Sequence, residues 1–68
     1  MRPDIAATAR ALIARADAHA AECEGRAALP GVAGGAACWR HEADAWRRYA
    51  DRLRAVAARH SLPVDQHR

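Results

Sequence analysis

An antiparallel two-helix hairpin, all-α, is the fold this sequence predicts, and three observations predict it. Two segments repeat apolar residues at helical spacing, Pro30-Gly31 and Gly34-Gly35 punctuate the stretch between them, and Trp39, Trp46, Leu53 and His60 recur every seven residues in the second segment. The expected helices cover about 5–24 and 36–60. Residues 1–60 form one domain in this reading and 61–68 a mobile C-terminal tail.

The first helix has a good start at Asp4, whose carboxylate can accept from the orphan backbone N–H groups of the first turn. Ile5, Ala9, Leu12, Ala16, His19, Ala20 and Cys23 fall on one face, with Arg10, Asp17 and Glu24 opposite. Gly25 is the expected left-handed residue that ends it.

The loop from Gly25 to Gly35 is longer than most helix–helix connections, so packing or side chains at its two ends are expected to order it. The second helix lacks a good N-cap and stops before Pro63, because the residue preceding a proline avoids the helical region. Its apolar stripe centres on Trp39, Trp46 and Leu53, flanked by Glu42, Ala43, Tyr49, Ala50, Val56 and Ala57. Arg40 and Asp44, and Asp44 and Arg48, are spaced for pairing on the solvent side.

At 68 residues the chain makes one domain at most and buries only about 60% of the surface it exposes unfolded. A lone hairpin with so few large apolar residues is expected to need help, and pairing into a four-helix bundle through the Trp39/Trp46/Leu53 and Ile5/Leu12 stripes supplies it. All eleven basic residues are Arg, a bias expected of a GC-rich bacterial or phage genome. The positive field belongs to the second helix, where six Arg face three acids, against two Arg and four acids in the first. No apolar run reaches the length of a membrane span and no signal-peptide core is present, so the expected setting is cytoplasmic.

The residues with the most chemistry cluster about the turn. If residues equidistant from Pro30-Gly31 face each other, Cys23 lies opposite Cys38 and His19 opposite Glu42. Three chemistries are compatible with that. Zinc would take His19, Cys23, Cys38 and His41, with Glu42 as the alternative fourth ligand because it lies nearer the stripe. A Cys23–Cys38 disulfide needs only Cα atoms within about 7 Å. The plainest reading has two free cysteines acting as small apolar residues and His19 bonded to Glu42.

No phosphate-binding loop and no enclosed nucleophile–base pair is present, so no enzymatic activity and no obligatory cofactor are expected. The first functional expectation is a small non-enzymatic adaptor, regulator or inhibitor of a larger protein assembly. It would homodimerise and also dock an unidentified protein through Trp39, Trp46 and Tyr49 and the Arg40/Arg47/Arg54 face. The alternatives are a basic RNA- or DNA-binding module that uses the Arg faces for phosphates, and a small zinc protein.

Overall fold

The computed structural model describes residues 4–64, and these form the expected antiparallel pair of helices: α1, Ile5–Ala27, and α2, Ala36–Arg59. Residues 65–68 of the expected tail lie outside the described residues. Asp4 caps α1 as its chemistry dictates, its Oδ1 accepting from the Ala7 backbone N–H at 3.0 Å. Gly25 does not end the helix. It sits inside α1, which runs on to Ala27, and the left-handed glycines are Gly31, Gly34 and Gly35 instead.

At its other end α2 closes on a Schellman motif. The Leu62 N–H donates to the Ala57 carbonyl at 2.9 Å and the Ser61 N–H to Ala58 at 3.1 Å, with Ser61 left-handed at φ 55°. α2 therefore ends at Arg59, one residue before the expected His60, on this motif rather than on the proline. Pro63 follows it and offers its carbonyl to Arg10 of α1 at 2.7 Å, which ties the chain beyond α2 to the start of the hairpin.

The seam between the helices is built of small side chains. Ala16, Ala20, Ala43, Ala50 and Ala57 are buried with Ile13 and Cys23, and among the described residues no large side chain is fully buried. Ala43, Ala50 and Ala57 recur every seven residues, so they, and not the tryptophans, mark the centre of the stripe. The physical reason is volume: alanine lets the two backbones approach closely, and indoles that cannot fit between them move to the side. On α1 the same displacement leaves Leu12 and Ile5 exposed while Ile13 goes in.

The register also departs from symmetry about Pro30-Gly31. Asp17 pairs with Arg54, Glu24 with Arg47, and His19 stacks on Trp46. In each pair the α2 partner lies further along the chain than that symmetry requires. The first turn of α2 therefore overhangs the end of α1, and the loop climbs beside it. Trp39 holds this arrangement: its indole N–H donates to the Ala33 carbonyl at 2.9 Å, and the Arg26 guanidinium lies 4.9 Å from the centroid of its ring.

Candidate functional site

The shifted register disperses the cysteine and histidine cluster. Cys23 is buried in the seam, whereas Cys38 is exposed on the overhanging turn, and both are free. His19 faces Trp46, with ring centroids 4.6 Å apart, so its expected partner Glu42 is not opposite it. His41 and Glu42 are exposed. Among the described residues no three of His, Cys, Asp and Glu come together to hold a metal ion. The zinc expectation for His19, Cys23, Cys38, His41 and Glu42 is thereby overturned, because four ligands must converge on one point.

The expectation of an adaptor, regulator or inhibitor working through an aromatic stripe and an Arg face is corrected too. Its aromatics serve the hairpin itself. Trp39 is fixed to the loop, and Trp46 stacks on His19 and meets Tyr49 edge-on at 6.1 Å. Two of the three named arginines belong to the helix–helix contact: Arg54 reaches Asp17 at 2.6 Å, and Arg47 grips both oxygens of Glu24 at 3.1 and 2.6 Å. That forked bond holds the Glu24 carboxyl below its ordinary value and raises Arg47 in turn, against the opposing effect of partial desolvation. Arg40 is exposed beside Asp44 in a small recess. With Arg47 and Arg54 paired, the Arg40/Arg47/Arg54 stripe is not a run of open phosphate ligands.

These pairings give the hairpin two unlike flanks. One is laced across the seam by the Asp17–Arg54 and Glu24–Arg47 bridges. The other carries the large apolar residues that the alanine seam excluded. At the open end of the hairpin this second flank hollows into a groove of 420 Å³. Ile5, Thr8, Ala9 and Leu12 line it from α1, Leu53, Val56, Ala57 and His60 from α2 and its cap, and Leu62 from the closing turn. Leu12 also borders the neighbouring recess with His19, Trp46 and Tyr49, so the flank is continuous for most of its length.

Sequence reasoning offered the stripes of Leu12 and Leu53 to a second hairpin as well as to the seam, but passed over the groove because it left Leu62 and the closing turn in a mobile tail. The available signal was the seven-residue spacing of alanines, which competes with that of the tryptophans for the centre of the stripe. No helix among the described residues is long and apolar enough to cross a membrane. No protein-family model, no curated protein and no solved structure matches the chain.

Proposed function

We propose that the hairpin is half of a symmetric four-helix assembly, and that its role is association with a second copy through the open-end groove and the apolar flank beside it. One observation carries this reading. Ile5 is 63% exposed, Val56 44% and Leu12 38%, and all three line the same groove. A contiguous apolar surface of this kind marks an interaction site.

Charge favours a second copy as the occupant, since the groove lining holds no Asp, Glu, Lys or Arg and two copies can meet there without repulsion. Two hairpins joined this way would cover the residues left outside the alanine seam, the usual solution for helical hairpins.

Sedimentation equilibrium over a wide concentration range tests the reading. A dimer is expected for the native chain, and Val56→Glu, a change harmless to an exposed position of a lone hairpin, is expected to give a helical monomer. A native chain that stays monomeric at high micromolar concentration, or a Val56→Glu variant that still dimerises as tightly, overturns the proposal.

A further inference from the structure

We infer that residues 61–64 form a strap, held shut by Arg10, that gates the open-end groove from the opposite flank. The inference rests on the hairpin alone and stands whether or not a second copy fills the groove.

Arg10 occupies the third step of a ladder. Asp17 and Glu24 lie seven residues apart on α1, and their partners Arg54 and Arg47 lie seven apart on α2. One further step of seven reaches Arg10 on α1 and Ser61 just past the end of α2. There the chain turns at Ser61, left-handed at φ 55°, and carries the Pro63 carbonyl to the Arg10 Nη1 at 2.7 Å. A main-chain carbonyl thus takes the place of a partner side chain. Proline suits the position, because its ring fixes φ and it has no N–H of its own to satisfy.

The same short segment reaches the groove. Leu62 stands between Ser61 and Pro63, is half-buried, and lines the groove with Ile5, Leu53 and Val56, whereas Arg10 is not among the lining residues. Two main-chain bonds fold the strap onto α2, from the Ser61 N–H to Ala58 and from the Leu62 N–H to Ala57, and Arg10 adds the bond to α1. This rung ends on a neutral carbonyl, so it is weaker than the two charge-paired rungs beyond it. Ser61 adds the strain of a side chain in the left-handed region. The strap therefore opens locally while the helices stay paired. Opening withdraws Leu62 from the lining and leaves the groove to the helices alone.

Hydrogen exchange followed by NMR at one protein concentration tests this on the full chain, on Arg10→Met and on Arg15→Met, the last an exposed arginine of α1 off the ladder. In the native chain the Leu62 amide is expected to exchange at a rate that stays flat in low urea while the rates at Ala20 and Ala50 in the seam climb, because a local opening exposes little surface. Arg10→Met is expected to speed Leu62 exchange about fivefold, the loss of one hydrogen bond, and to shift the Leu53 and Val56 methyl resonances. Arg15→Met is expected to do neither. A Leu62 rate that climbs with urea in parallel with the seam overturns the strap, since it would then open only with the hairpin. An unchanged Leu62 rate in Arg10→Met, or equal acceleration in Arg15→Met, overturns the role of Arg10. Unmoved Leu53 and Val56 methyls in Arg10→Met overturn the link to the groove.

Discussion

Arg47 donates two hydrogen bonds to the Glu24 carboxylate, at 3.1 Å from Nε and 2.6 Å from Nη2, and so fixes the register of α2 on α1 near the loop. The fork is planar on planar, the geometry in which an arginine–carboxylate pair is strongest. Both side chains remain about half exposed, so salt will screen them. Because the bond lowers the Glu24 carboxyl in the folded state, its contribution is present above the unfolded carboxylate range and is lost as pH falls through the lowered folded value. Urea midpoints followed from neutral pH downward should therefore fall less steeply in Glu24→Gln than in the native chain, and the difference should shrink in high salt. Identical acid profiles would show that the pair adds nothing in solution.

Gly25 offers a gain in stability. It lies within α1 with no left-handed φ, and a Cβ built on it meets nothing within 4 Å. Gly25→Ala should stabilise the fold by about 0.5–1 kcal/mol, by removing freedom from the unfolded chain and raising helix propensity. At matched protein concentration that is about 4–8 °C in Tm per kcal/mol for a chain of this size. A decrease in Tm would mean that α1 ends at Gly25 after all.

The same logic runs the other way at Ser61. It is the only non-glycine residue with positive φ among those described, and it sits at the left-handed position of the Schellman motif that closes α2. Ser61→Gly should relieve about 0.5–1 kcal/mol of backbone strain, while Ser61→Val should cost at least as much. Thermal melts of the two variants separate the outcomes, and a neutral or destabilising Ser61→Gly would show that the closing turn does not hold this conformation.

The hairpin itself was legible from periodicity, turn residues and the Asp4 cap, since each of these acts over a few residues. What the sequence left open was which of two interleaved seven-residue repeats would occupy the seam. Trp39/Trp46/Leu53 and Ala43/Ala50/Ala57 lie side by side on α2, and hydrophobicity alone favours the first. Close approach of two backbones favours the second, and it wins because helix pairs gain packing over their whole length. The site followed from the register, and the contacts that go with that register, the Glu24–Arg47 fork and the Trp39–Ala33 bond, span a loop that no local rule specifies.

Ala50 tests the alanine seam directly. It is fully buried where α1 and α2 meet, so Ala50→Leu must force the helices apart or distort a rotamer, at a cost of about 1–3 kcal/mol or more. Ala55→Leu, at an exposed position of the same helix, should be close to neutral. Chemical denaturation of both variants gives the contrast. Equal stability would place Ala50 outside the contact and return the tryptophans to the seam.

The two cysteines give the most direct reading of the register. Cys23 is 7% exposed in the seam and Cys38 is exposed on the turn of α2 that overhangs the end of α1. A thiol reagent should therefore label Cys38 rapidly in the native chain and reach Cys23 only on the timescale of unfolding, both reacting at once in denaturant. Mild oxidation should join Cys38 to a thiol of another molecule or leave it free, because a bridge to Cys23 requires Cα atoms within about 7 Å and side chains that point at each other. If the native chain instead closes an intramolecular Cys23–Cys38 bond readily, Cys38 must lie beside Cys23. The Glu24–Arg47 and Asp17–Arg54 bridges could not then both form as described, and the apolar flank with its groove would have to be redrawn.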